Sequence, residues 1–161
     1  MQDRTKVYKV VRNENGVLKS AVIGARGNNV NHTKFQRFEL VYPIGITVKR
    51  RCLAFRDFTN AREWMHAMKR IGFEGLELWA ADTLRAVRLS FILRLEDATV
   101  TDMEVACSCS GFFDRVRGAA STDLNSYNRV RVSGRTVYVQ GAGNGMVRCS
   151  DLRLLKLSRR A

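Results

Sequence analysis

The stretch ACSCSGFF, residues 106–113, holds the side chains best suited to chemistry. Cys107 and Cys109 lie one residue apart, beside serines and a glycine. Thiols at that spacing can ligate a metal, attack a substrate or pack. A structural zinc site takes about four Cys or His ligands, commonly in C-x₂₋₄-C pairs. Here Cys107-x-Cys109 is the one close pair, with Cys52 and Cys149 solitary and distant along the chain. Should a metal bind, Cys107 and Cys109 are its first candidate ligands. A redox dithiol more typically reads C-x-x-C. A nucleophilic cysteine needs a base, and the two histidines are His32, in a polar loop, and His66, within a helical pattern. On a strand, positions 107 and 109 face one side, next to Phe112 and Phe113. The expectation is reduced, packed thiols with no cofactor and no metal.

Two glycine-rich stretches invite the same weighing. GAGNG (141–145) has the composition of a phosphate-cradling loop, but a dinucleotide fingerprint needs a strand before it and a helix after it. MVRCSDLRLLKL follows instead and reads as strand, so a wide hairpin turn is expected. GARGNN (24–29) sets Arg26 among residues that expose backbone N–H groups, which suits a phosphate contact or a flexible connector equally.

Charge is the strongest global feature. The chain of 161 residues has 28 Lys+Arg against 15 Asp+Glu, a formal net charge of +13, and 21 of the 28 are arginine. The arginine fork pairs bidentately with phosphate or carboxylate, where lysine acts as a point charge. The excess is spread along the chain, +9 over residues 1–96 and +4 over 97–161, so no basic tail accounts for it. Such a surface implies an anionic partner, either nucleic-acid phosphate or an acidic protein surface; the plainer alternative is a protein that is merely basic. The candidate partner-binding residues are Lys49, Arg50, Arg51 and Arg56 in KRRCLAFR, Arg88 and Arg94 on one strand, and Arg129, Arg131 and Arg135 in one hairpin. Tyr138, on the face opposite Val137 and Val139, is the candidate exposed aromatic for a nucleic-acid-binding sheet. No RNP-like, KH or zinc-finger signature is present, so backbone contact is expected rather than base reading.

The elements that must position these residues read mostly as strands. KVYKVVR (6–12) and VLKSAVI (17–23) flank NENG as a hairpin. FQRFELVY (35–42) alternates, with Phe38, Leu40 and Tyr42 on one face. ITVKRRCLAF (46–55) reads as one long strand or two short ones. EGLELWAA (74–81) is a short strand. LRAVRLSFILRL (84–95) is a longer one, and NRVRVSGRTVYVQG (128–141) is a hairpin turning at SGR. One amphipathic helix is clear: Ala61, Trp64, Met65, Met68 and Ile71 form an apolar stripe, Asn60 and Glu63 suggest a capping box, and Gly72 suits the C-cap. The fold class is therefore α+β, a mainly antiparallel β-sheet with one principal amphipathic helix packed on it. Residues 1–161 form a single compact domain, with a subdivision near 97–127 left open. The apolar share of 45% is that of a globular chain, and four cysteines with no apolar signal core or membrane span suggest an intracellular location.

The order VYKVVR, NG-L-SA, Y-x-x-G and LAFRDFTNAREW, with MVRCSDLRLLKL at the end, resembles a small domain found in uncharacterised proteins of bacteria, phages and large DNA viruses. That resemblance covers roughly residues 6–80 plus the C-terminus. It implies a compact α+β module and no catalytic residues. Together these features lead to the expectation of a non-enzymatic basic structural or binding protein, packed with other subunits into a larger assembly such as a virus particle or a ribonucleoprotein. A free nucleic-acid-binding module contacting phosphate through its arginines is the alternative, and a small enzyme of unknown chemistry is the third.

Overall fold

The structure, a computed structural model, describes residues 3–21, 40–70, 72–89, 91–95, 100–102, 128–132, 135–141 and 144–161. Its strands are antiparallel and a single helix, among the described residues, packs on them. The chain divides into two units. The first draws on residues 1–22, 39–88 and 143–161, and the second on 23–38 and 89–142.

The first unit is built on a seven-stranded sheet. Strand β1 (Thr5–Glu14) turns at Asn15–Gly16 into β2 (Val17–Ser20), and Glu14 pairs with Val17 across the turn. Both loop residues have positive φ, 54° and 86°, as a two-residue hairpin matched to strand twist requires, which explains the Asn-Gly pair. The hairpin read from the sequence is thus present, with the strand continuing through Asn13 and Glu14. Strand β3 (Cys52–Phe55) leads into α1 (Phe58–Arg70), and β4 (Leu76–Thr83) follows. β4 pairs with β1 over eight consecutive residues, from Thr5↔Thr83 to Arg12↔Leu76.

Further along lie β5 (Ala86–Arg88) and, in the second unit, β6 (Phe91–Leu95), β7 (Val100–Asp102), β8 (Asn128–Val132) and β9 (Arg135–Gly141). β10 (Met146–Cys149) and β11 (Arg153–Arg160) complete the first sheet, whose order is β11-β4-β1-β3-β10-β5 with β2 also on β1. The second sheet has the order β7-β6-β9-β8.

Three readings change. LRAVRLSFILRL is two strands in different sheets, because β5 pairs with β10 whereas β6 pairs with β7 and β9. Alternation continues through the break, so periodicity alone could not show it. GAGNG is no hairpin turn either: β9 pairs with β6 and β8, and β10 with β3 and β5. In ITVKRRCLAF only Cys52–Phe55 is a strand, with Val48 making an isolated bridge to Leu152.

The sheet of the first unit is covered on both faces. Side chains alternate along a strand, so Tyr8 and Val10 of β1 lie on one face with Leu76 and Leu78 of β4, where α1 packs. Ala61, Met65 and Met68 of the helix are buried there, Phe58 meets the Tyr8 ring edge-on at 5.8 Å, and Trp64 lies 5.6 Å from the Phe55 ring. Helix capping differs from the expected box. Asp57 is the N-cap, its carboxylate accepting the Asn60 backbone N–H and the Asn60 side-chain amide, each at 2.8 Å. The C-terminus closes as read, with Phe73 N–H donating to the Met68 carbonyl and Gly72 N–H to that of Lys69. Gly145 sits against the helix start. It has φ +74°, its carbonyl accepts the Arg56 N–H at 2.9 Å, and a Cβ there would lie 2.8 Å from Asn60 Nδ2.

The other face carries Val7, Val11, Trp79, Ala81, Ala54, Val147, Cys149, Leu152 and Leu154. The segment 40–48 covers it. Ser20 N–H donates to the Leu40 carbonyl and Tyr42 N–H to that of Leu18, while Gly45 N–H donates to Leu154 and Val48 exchanges both bonds with Leu152. One segment thus ties β2 to the start of β11 and inserts Tyr42, 2% exposed, into the core.

Charged residues on these strands are met by partners distant in sequence. Arg4 spans Asp82 (Nε–Oδ1 2.7 Å) and Asp151 (Nη1–Oδ2 3.0 Å), and Arg153 Nη2 reaches Asp82 Oδ2 at 2.6 Å. Asp151 also accepts the Leu84 N–H at 2.8 Å and the Thr83 hydroxyl at 3.0 Å. Burial raises the pKa of both carboxyls, but Arg153 and Arg4 at Asp82, and Arg4, Leu84 and Thr83 at Asp151, outweigh it and hold both below the usual range.

Two outcomes follow for stability. Arg4→Met leaves two poorly solvated carboxylates without their shared cation and should cost about 3 kcal/mol in urea unfolding. Because the folded-state values are depressed, the contribution is whole above the unfolded value of about 3.9 and is lost as pH falls through the folded ones. Wild-type stability should therefore fall steeply below about pH 4, and less steeply in Asp82→Asn.

Candidate functional site

The sequence points to arginines, and the structure adds a thiol pair. Cys52 opens β3 and Cys149 closes β10, and the antiparallel register sets them directly opposite each other. In the same ladder Ala54 faces Val147. All four residues belong to the core face away from α1. The two cysteines that look solitary in sequence are therefore neighbours; strand pairing, which a spacing rule does not see, brings them together. Both are free thiols, Cys52 half-buried and Cys149 buried.

Polar groups surround them. Cys149 and Tyr42 both act on the Cys52 sulfur, and Ser20 on the Tyr42 hydroxyl. Lys9, 8% exposed, donates from Nζ to the Leu53 carbonyl and lies 5.5 Å from the centre of the Tyr42 ring. Thr83 reaches Cys149 from β4. The Cys149 hydrogen bond, against the opposing effect of burial and with help from the Lys9 ammonium and Tyr42 hydroxyl, pulls the Cys52 thiol down to about 6. Cys149 moves the other way, held protonated by its bond to Cys52 and by burial. Burial and the Cys52 charge likewise push the Tyr42 hydroxyl up. Of the two thiols, the arrangement favours ionisation of Cys52 and protonation of Cys149. Neither Lys9 nor Tyr42 carries a sequence signal for this role: each reads as an ordinary strand residue.

His66 does not serve these thiols. It lies on α1, half-buried, and the helix covers the opposite face of the sheet. Among the described residues there is no group of three or more His, Cys, Asp or Glu side chains that could hold a metal ion. Cys107, Cys109 and His32 lie outside the described residues.

The basic residues divide between the units. Lys49, Arg50, Arg51, Arg56 and Arg88 belong to the first, all exposed, and Arg94, Arg129, Arg131 and Arg135 to the second. In the first unit Lys49–Arg51 directly precede Cys52, and Arg88 lies on β5, opposite Val147 of β10. In the second, register sets Arg94 of β6 opposite Tyr138 of β9, and Tyr138 opposite Arg129 of β8. Arg129 and Arg131 are exposed. In the β8–β9 register Arg135 pairs with Val132, and Arg131 with Thr136.

No protein-family model, no curated protein and no solved structure matches the chain. No helix among the described residues is long and apolar enough to cross a membrane.

Titration of thiolate absorbance should show one thiolate appearing around pH 6, absent in Cys52→Ser. Lys9→Met should move that midpoint upward, since it removes the ammonium that favours the charged sulfur. A midpoint unmoved in Lys9→Met would show that the hydrogen bonds from Cys149 and Tyr42 suffice.

Proposed function

We propose that the chain is a non-enzymatic basic structural protein that packs into a larger assembly, such as a virus particle or a ribonucleoprotein, by engaging an acidic protein surface. The observation that carries this reading is the segment 44–51. Ile44 and Ile46 are 58% and 59% exposed, and Lys49, Arg50 and Arg51 follow them on the surface. Apolar side chains held in solvent beside a run of cations suit a protein partner, whose surface can bury the isoleucines while its carboxylates meet the cations. Nucleic-acid phosphate offers nothing to the isoleucines.

The internal use of carboxylates supports the same reading. Asp82, Asp151, Glu77 and Glu14 are engaged by Arg4, Arg153, Arg160, Arg12 and Lys19, and Asp57 caps α1. Asp57, Glu77, Asp82 and Asp151 are thus engaged within the fold, while Lys49, Arg50, Arg51, Arg56 and Arg88 are exposed. A free nucleic-acid-binding module is the second reading, favoured by the register row Arg94, Tyr138 and Arg129 across three strands, since an aromatic flanked by cations is the pattern of single-strand binding sheets.

Purification from the native source separates the two. The assembly reading expects recovery in particles with other proteins, lost in Ile44→Ser/Ile46→Ser, whereas co-purifying nucleic acid without other proteins favours the module. In the second case affinity should fall with salt, and Arg129→Gln should flatten the log–log slope by about 0.9 if one phosphate contact is lost. Replacing Arg51 and Arg56 by Gln should weaken particle association while leaving the folded state unchanged.

A further inference from the structure

We propose that Cys52 and Cys149 form a redox-active dithiol, which exchanges with a low-molecular-weight disulfide and closes into a reversible bond between β3 and β10. Opposed residues of an antiparallel ladder have Cα atoms about 4.5–5.5 Å apart. A disulfide spans about 4.4–6.8 Å, so the register Cys149↔Cys52 already lies within the range. Both cysteines belong to the same face of the sheet and the same core cluster, so their side chains stand on the side where the bond would form.

The two thiols are chemically unlike, and the difference assigns their roles. Cys52 is half-buried and its ionisation is favoured by Cys149, Lys9 and Tyr42, while Cys149 is buried, which favours its protonated form. The thiolate is the nucleophile in exchange, so Cys52 attacks first. Lys49, Arg50 and Arg51 precede it on the surface, which favours an anionic disulfide such as oxidised glutathione.

Attack breaks the S–S bond of the incoming disulfide. One thiolate departs with the bonding electron pair and takes a proton from water, and a mixed disulfide remains on Cys52. With Cys52 capped, its negative charge no longer opposes ionisation of Cys149, while Lys9, which favours it, remains. Cys149 gives up its proton, its sulfur attacks Sγ of Cys52, and the second thiol leaves. Two protein thiols are oxidised and one disulfide is reduced to two thiols. The new bond closes a loop over residues 53–148, which contains β6 to β9. A small disulfide thereby staples β3 to β10, the first strand after the chain returns to the first unit.

The test is exchange on the full chain. Incubated with oxidised glutathione at neutral pH and mapped without reduction, the protein should yield the Cys52 peptide linked to the Cys149 peptide as its main product, reversed by dithiothreitol. Cys149→Ser should stop at a glutathione adduct on Cys52. Independently of any variant, iodoacetamide should label Cys52 in the native chain about tenfold or more faster than Cys149, as their opposite protonation states require. Recovery of Cys52 and Cys149 as free thiols while Cys107 or Cys109 carries all the glutathione would overturn the proposal. So would equal labelling of the two thiols, or a folded Cys149→Ser chain that takes no adduct at Cys52.

Discussion

The first unit depends on one constraint: β1 and β4, paired over eight consecutive residues, are buried on both faces. The helix covers one face and the segment 40–48 the other. A strand in that position has no solvent side on which to place polar groups, so each polar group must find a partner inside the fold. Four do so in different ways. Lys9 meets the Leu53 carbonyl and the Tyr42 ring. Glu77 accepts from Trp79, Asn13 and Arg160. Asp82 is held by Arg4 and Arg153, and Thr83 by Asp151. These partners come from both ends of the chain, so the polar residues of the central ladder fasten the N-terminus, β3 and β11 to it.

That constraint also shapes the outer surface. Removing one partner of a buried ion pair strands the other charge at a cost of about 3–5 kcal/mol, which fixes carboxylates such as Asp82 and Asp151 to interior duty. Surface arginines are under no such demand. Lys49, Arg50, Arg51, Arg56 and Arg88 stand exposed on a chain of net charge +13, and steering of an anionic partner depends on such exposed charge.

Legibility in the sequence follows what each signal measures. Asn15–Gly16, the helix stripe Ala61–Met65–Met68 and the closing Gly72–Phe73 were readable because local backbone chemistry determines them. Near-continuous apolar character in LELWAA marked β4 as a strand, and its burial on both faces agrees with that run. What escaped was set by pairing between distant strands. Nothing in LRAVRLSFILRL distinguishes residues that join β10 from those that join β9, since alternation is the same in both sheets. The thiol pair escaped for the same reason: Cys52 and Cys149 become neighbours only through the β3–β10 register. Asp57 displaced Asn60 as N-cap because α1 begins one turn earlier than its apolar stripe.

Lys9 joins the structural constraint to the chemistry. An ammonium buried in a core is tolerated only with compensation, and one carbonyl and one aromatic face leave part of its charge unanswered. A group of the same core able to supply negative charge is the Cys52 sulfur, whose ionisation Lys9 favours and the Asp151 carboxylate opposes. Burial of the lysine and ionisation of the cysteine therefore support one another, with Tyr42 placed between them by the segment that closes the core. Capping Cys52 removes that charge and leaves Lys9 to the remaining sulfur. The same cation that favours the first thiolate then favours the second, so the packing that makes β1 stable also sets the order in which the two cysteines react.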